Sequence, residues 1–514
     1  MKKKLLSACI FTLVLCMAMN NALACTALYA GSAVTQDGSV IFGRSEDYAN
    51  SQNKLFYVSP AGNHAAGEEY SGCYGFTWTF THDSYGYTAF SDDNGAGVEY
   101  VCPDCGGTHK HTPYEAAGTN DQGVTITATE TLHCAEAVEA VDPYEDLGIE
   151  EAEIVTVVLS EAATAKEAVS LLLGIYDGAG ANAGSGIIIA DAEETWYVEN
   201  VTGHQYVAVK LPASLVLVQP NMSIIGAVDL DDTENVIASA SLIDVAKQAG
   251  TFVGSEEDNV INYVLSYNGE SQPNARMINA LAYLDPAYAD TENPADVSAY
   301  LLTNIDENGQ IVPLQNGIHP AEALTIADAQ DFYHISNIGY VRNLETHIFQ
   351  ITGAGETGTV EWVAMNDTAL SVFVPYYPML TADVDASYKL STAEADFVTE
   401  KADHGFCYAA TVNKYQDGQR VPVEGFKVLP ENWQDSMYWS FDALSNLVMY
   451  GDLAEDQVQA AYDAVYAQQA QVNAAFAENK DTLTDAEAAT AWSQAAAQEA
   501  HQLAVTLTEQ LLAQ

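Results

Sequence analysis

The chain has 514 residues, of which 17 are Lys or Arg and 71 are Asp or Glu, so its formal charge at pH 7 is −54. A surface this acidic repels phosphate, which excludes nucleic acid and anionic lipid as broad-surface partners. With 48% hydrophobic and 10% aromatic residues, the chain can bury a large core, expected as one large domain with an appendage.

Lys2, Lys3 and Lys4 precede an apolar run from Leu5 to Met19, and Ala22-Leu23-Ala24 follows. This is the three-part pattern of a cleavable export signal, and the run is shorter than the roughly 20 residues that span a bilayer. Residues 1–24 are therefore expected to be removed, leaving an exported chain that starts at Cys25 and has no stable membrane insertion. Losing the three lysines leaves 14 bases against 71 acids, a charge of −57. A second reading makes Cys25, directly after Leu23-Ala24, a lipid attachment point on an anchored binding protein. Against it, Leu23 is one place too close to the cysteine, and Thr26-Ala27-Leu28-Tyr29-Ala30 reads as a strand rather than a polar tether.

From Cys25 to about Tyr100, short apolar or alternating runs are broken by turn signals such as Gln36-Asp37-Gly38-Ser39 ahead of Val40-Ile41-Phe42-Gly43. These predict strands joined by tight turns. A turn at Thr119–Gly123 leads into a strand at Val124–Thr129, and Gly186–Val198 reads as a hairpin. Between them, Ala168, Leu171, Leu172 and Ile175 recur at helical spacing and predict an amphipathic helix over Ala163–Tyr176. Strands and helices come in groups rather than singly, which favours α+β with antiparallel sheets. From Asp452 to Gln514 there is no Gly or Pro and much Ala, Gln and Glu, which predicts two helices.

Beyond the leader the cysteines are Cys25, Cys73, Cys102, Cys105, Cys134 and Cys407. In an exported protein Cys102-Pro103-Asp104-Cys105 is expected as a local disulfide, with Cys73 pairing Cys134 or Cys407. Cys102, Cys105, His109 and His111 would also supply four zinc ligands, but their spacing is tighter than in a zinc finger and export favours the disulfide. His347 and His404 are isolated and read as core or surface histidines. No Gly-rich phosphate loop, Gly-x-Ser-x-Gly elbow or His-Glu-x-x-His helix is present.

An N-terminal cysteine carries its own base. Its α-amine, with an ordinary pKa near 7.7 to 8.0, lies within reach of the thiol and can take the proton directly or through one water. An arginine near the sulfur favours thiolate, and a carboxylate orients the amine. Both residue types follow in Gly43-Arg44-Ser45-Glu46-Asp47.

Cys25–Gly31, Asp37-Gly38-Ser39 and Gly43–Asp47 resemble the N-terminus of the C69 family of bacterial dipeptidases, which are N-terminal nucleophile hydrolases related to the choloylglycine and penicillin V acylases. Further similar blocks are Thr119–Val124 with Ala128–Thr131, Ile189-Ala190-Asp191 with Trp196–Glu199, Asn274-Ala275-Arg276, and Thr346–Gln350 through Glu361–Ala364 to Val374-Pro375-Tyr376. The resemblance spans roughly residues 25–450, leaving 451–514 as a helical C-terminal extension. It implies a four-layer αββα sandwich, with Cys25 as nucleophile and base, Arg44 near the thiol and Asp47 holding the amine. Arg276 matches an active-site arginine of the acylases, and reads equally as a surface residue at a helix start. The relatives build the oxyanion hole from asparagines. Where one is expected this chain has Ala128, Thr129 and Glu130, and Asn182, with Ser185 competing, is the candidate for the other. The implied activity is hydrolysis of dipeptides without metal or organic cofactor, with small peptides as substrates; cleavage of bile-salt conjugates or N-acyl amides is the alternative.

Overall fold

A computed structural model describes residues 25–48, 53–93, 99–101, 108–110, 112–268, 274–290, 304–305, 311–312, 318–391, 396–400, 407–416 and 419–513. The expected leader, the Cys102–Cys105 disulfide and the alternative zinc set lie outside the described residues or their described side chains.

Two antiparallel sheets form the centre. The first contains β1 (Thr26–Ala30) and β2 (Val40–Asp47). The second contains β3 (Lys54–Ser59), β4 (Tyr87–Asp92), β5 (Tyr114–Thr119), β6 (Thr125–Leu132), β7 (Gly184–Ala190), β8 (Thr195–Asn200) and β9 (Tyr206–Lys210). The chain returns to the first sheet with β10 (Val216–Gln219), adds β11 (Val236–Ala238) to the second, and completes the first with β12 (Asn343–Ile351), β13 (Thr359–Met365) and β14 (Val374–Tyr376). The strand orders are β10-β1-β2-β12-β13-β14 and β11-β9-β8-β7-β6-β5-β4-β3.

Alternation along each strand decides what each face does. Thr125 and Thr127 on β6 point between the sheets, and Thr127 bonds His347 of the other sheet. Ile126 and Ala128 point outward into a second core. That outer core is closed by α1 (Glu151–Glu161) and α2 (Ala165–Gly178), through Ile154, Val158, Leu172 and their neighbours. Thr164 caps α2 by accepting the Glu167 N–H, so the helix starts two residues after the expected Ala163. The hairpin expected at Gly186–Val198 is β7 and β8, its turn held by Asp191 Oδ1 accepting from the Glu193 and Glu194 N–H groups.

Helices also cover the first sheet. α3 (Ala275–Leu284) buries Met277 and Leu281 in the main core. α4 (Met437–Tyr450) precedes the two helices expected in the tail, α5 (Glu455–Asn479) and α6 (Ala486–Leu512). Phe476 of α5 meets Trp362 of β13 at 5.3 Å between ring centroids, and Ser493 of α6 donates to the Pro375 carbonyl of β14 at 2.7 Å. The layers are therefore helices, sheet, sheet, helices, the α+β sandwich the sequence implied. Among the described residues, no helix is long and apolar enough to cross a membrane.

The expected pairing of Cys73 with Cys134 does not form. Cys73 Sγ lies 3.2 Å from the Thr112 carbonyl and 3.1 Å from its hydroxyl, while Cys134 packs as a thiol at the edge of the main core.

Candidate active site

Cys25 stands one residue before β1, and the register places Ala27 opposite Arg44 of β2 and Arg44 opposite His347 of β12. Ala27, Arg44 and His347 therefore share the face between the sheets. β2 and β12 approach closely here: a Cβ on Gly43 would lie 2.1 Å from the His347 carbonyl oxygen, so only glycine fits.

Cys25 is buried, and Arg44 Nη1 reaches its sulfur at 3.7 Å. Arg44 is itself fully buried and also bonds two carboxylates, Nη1 to Glu151 Oε1 at 2.6 Å and Nη2 to Glu46 Oε2 at 3.0 Å. Glu46 continues the chain to Lys54 at 2.6 Å, and Lys54 to Asp92 at 2.8 Å. A buried guanidinium needs such partners, and its planar fork serves two carboxylates at fixed angles. Burial pushes the Cys25 thiol up to about 12, against the pull of Arg44. Burial also raises Glu46, but Lys54 and Arg44 outweigh it and hold the group below the usual carboxylate range.

Asp47 points to the opposite face of β2. There Arg276, at the start of α3, places Nη1 2.5 Å from Asp47 Oδ2 and donates to Thr26 Oγ1 at 3.0 Å. Asn343 donates to the other Asp47 oxygen, and Tyr340 accepts from Arg276 Nη2 at 2.9 Å. Asn274 caps α3 by accepting the Arg276 and Met277 N–H groups, which fixes where the arginine leaves the helix. Burial lifts Asp47 to about 6, more than Arg276 and Asn343 pull it down. Thus Arg276, a buried side chain, is part of this cluster and not a surface residue.

Asn182 precedes β7, is partly exposed, and its amide donates to the Asp146 carbonyl at 2.9 Å. Ser185, its competitor, is buried with a hydroxyl that has no hydrogen-bond partner.

Several members of the network carry no sequence signal. Glu151 sits at the start of α1 and bonds Arg44, the Glu130 N–H at 2.9 Å and Tyr114 Oη at 3.1 Å. His347, isolated in sequence, is completely buried between Glu345 (3.0 Å) and Thr127 (2.8 Å), and burial followed by Arg44 drives its pKa well below the ordinary value. It is a neutral packing histidine. Lys54 and Asp92 are ordinary strand residues until the fold sets them beside Glu46. The one available signal was spacing: Arg44 and Glu46 are i and i+2 on a strand and so must share a face.

The fold thus gathers a thiol with one guanidinium at its sulfur, and beside it a carboxylate paired to a second guanidinium, groups whose chemistry suits nucleophilic attack. The family model for peptidase family C69 matches residues 24–297. A protein described as probable dipeptidase B from Streptococcus pyogenes serotype M1 is 30% identical over 397 residues, 73% of this chain and 76% of its own length. A probable dipeptidase from Salmonella dublin is 30% identical over 375 residues, 70% of this chain and 82% of that protein. Among solved structures, penicillin V acylase from Agrobacterium tumefaciens covers 71% of this chain and 87% of its own at 14% identity, with a TM-score of 0.31, too loose a superposition to carry weight.

Proposed function

The chain belongs to peptidase family C69 and is a peptide-bond hydrolase, and we propose that it is an exported dipeptidase whose nucleophile is Cys25. The observation that carries this reading is Arg44 Nη1 at 3.7 Å from the buried Cys25 sulfur, at the residue where the leader is expected to end.

While residue 24 is attached, the Cys25 nitrogen is an amide and cannot act as a base. The thiol, pushed up to about 12 by burial, is then inert. Leader removal creates an amine beside the sulfur, held through the Asp47–Arg276 pair. The amine takes the thiol proton, the sulfur attacks the scissile carbonyl, and Arg44 stabilises the thiolate. Collapse of the tetrahedral intermediate forms a thioester and breaks the C–N bond, the amine returning its proton to the departing amino acid. Water, deprotonated by the same amine, then releases the first amino acid and restores the thiol. Lipid attachment at Cys25 fits less well, because its sulfur faces Arg44 rather than solvent.

The test is hydrolysis of a simple dipeptide by Cys25→Ser and wild type, with thermal melting of both. The expected result is a loss of at least about 100-fold in kcat/KM at unchanged melting temperature; undiminished hydrolysis by the variant would overturn the mechanism.

A further inference from the structure

Next to the thiol site, beyond Glu151, lies a second group of carboxyls with no cation. Glu150 and Glu153 stand at the start of α1, and Glu130 is on the facing end of β6. Glu150 is only 5% exposed, and its Oε1 is buried with no hydrogen-bond partner. Glu153 accepts the N–H groups of Tyr74 at 3.3 Å and Glu150 at 3.2 Å. Glu130 is exposed at the rim, and its own N–H is bound to Glu151. Tyr74, 54% exposed, stands beside them. Among the described residues no Lys, Arg or His pairs with Glu130, Glu150 or Glu153, and no group of three side chains could hold a metal ion.

A buried carboxyl oxygen left without a hydrogen-bond partner costs free energy of desolvation, so the fold retains Glu150 Oε1 at a penalty. Burial, then Glu130, Glu153 and Glu151, push it up to about 9. A ligand cation relieves that penalty. The group is joined to Cys25 by a short series of contacts: sulfur to Arg44 at 3.7 Å, Arg44 to Glu151 at 2.6 Å, Glu151 to the Glu130 N–H at 2.9 Å. The α-ammonium of a dipeptide is fixed two bonds from the carbonyl under attack. A lysine or arginine side chain has the flexible stem needed to span the gap.

We propose that Glu130 and Glu150 form the specificity subsite for a basic side chain on the first residue of the dipeptide, a lysine or arginine whose carbonyl Cys25 attacks. The inference rests on the dipeptidase reading of Cys25. The bound cation lies between the buried Glu150 oxygen and the rim carboxylate of Glu130, with the exposed Tyr74 ring as a flanking face for cation–π contact. The strongly negative chain also concentrates cationic substrates near its surface.

The test compares kcat/KM for Lys-Ala, Ala-Lys and Ala-Ala in wild type, Glu130→Gln, Glu150→Gln and Cys25→Ser. Wild type is expected to favour Lys-Ala over both others by about tenfold or more, and each glutamine variant to lower the Lys-Ala to Ala-Ala ratio by about tenfold, largely through KM. Glu130 is at the rim, so its variant remains informative if Glu150→Gln does not fold. Equal rates on Lys-Ala and Ala-Ala in wild type, a preference for Ala-Lys, or a Lys-Ala preference that survives Glu130→Gln would overturn the inference while Cys25→Ser stays inactive. Hydrolysis of all three by Cys25→Ser would instead overturn the underlying reading.

Discussion

Arg276 Nη1 lies 2.5 Å from Asp47 Oδ2, joining the first turn of α3 to the last residue of β2 directly behind Cys25. The two side chains are buried and ion-paired to each other. Breaking a buried pair by removing one member costs about 3–5 kcal/mol. Asp47→Asn and Arg276→Met should each lower unfolding free energy by that order, and the double variant by much less than their sum. Denaturant unfolding of the four proteins measures this; additive losses would show that the pair is not coupled.

Arg44 is expected to tolerate no substitution. Arg44→Lys keeps the charge but cannot hold Glu46, Glu151 and the Cys25 sulfur together, because a point ammonium lacks the planar fork. Both Arg44→Lys and Arg44→Met should lose at least about 100-fold in kcat/KM on a dipeptide. Activity of Arg44→Lys within a few-fold of wild type would show that only charge is required.

The buried carboxyls set the sign of the pH dependence of stability. Burial raises Asp47 and Asp367 to about 6, Glu199 to about 7, and Glu345 and Glu361 to about 8. Between the ordinary carboxyl values and these raised ones, the folded chain holds more protons than the unfolded chain. Stability therefore falls as pH rises through that window. The melting temperature is expected to be higher at pH 5.5 than at pH 8.5, by several degrees. A melting temperature that climbs with pH over this range would contradict it.

The tail helices are expected to be required for folding. Val465, Val472 and Phe476 of α5, with Ala497, Ala500 and Ala504 of α6, are buried in the main core, and Gln469 accepts the Phe373 N–H at 2.6 Å and donates to its carbonyl at 3.1 Å. A chain ending at Tyr450 exposes the outer face of β13 and β14. It should be insoluble or lack a cooperative melt, whereas a soluble truncation with wild-type melting would show that the helices are dispensable.

Much of the architecture was legible because period-2 and period-3.6 patterns survive where one face is buried. β1, β2, β7, β8 and α2 read clearly for that reason. The α1 segment did not, since Ile154-Val155-Thr156-Val157-Val158 is β-branched and apolar all round, a composition that suits a strand; its burial on nearly every side is what makes the helix acceptable. The arginine and aspartate after Cys25 were visible through their spacing. Glu151, Lys54 and Asp92 were not, because a buried charge network is assembled from distant strands and leaves no local pattern. Asn182, a plausible residue type in a glycine-rich approach, donates its amide to the Asp146 carbonyl, a local contact that no sequence pattern announces.

The most direct measurement is alkylation of the active protein with iodoacetamide, followed by mass mapping against residual dipeptide hydrolysis, with Cys73 and Cys134 as internal comparators. The expected result is an N-terminal peptide beginning at Cys25, loss of activity in step with one carboxamidomethyl group on that residue, and protection by dipeptide. Full activity with Cys25 completely alkylated, or an active chain that still carries residue 24, would contradict it.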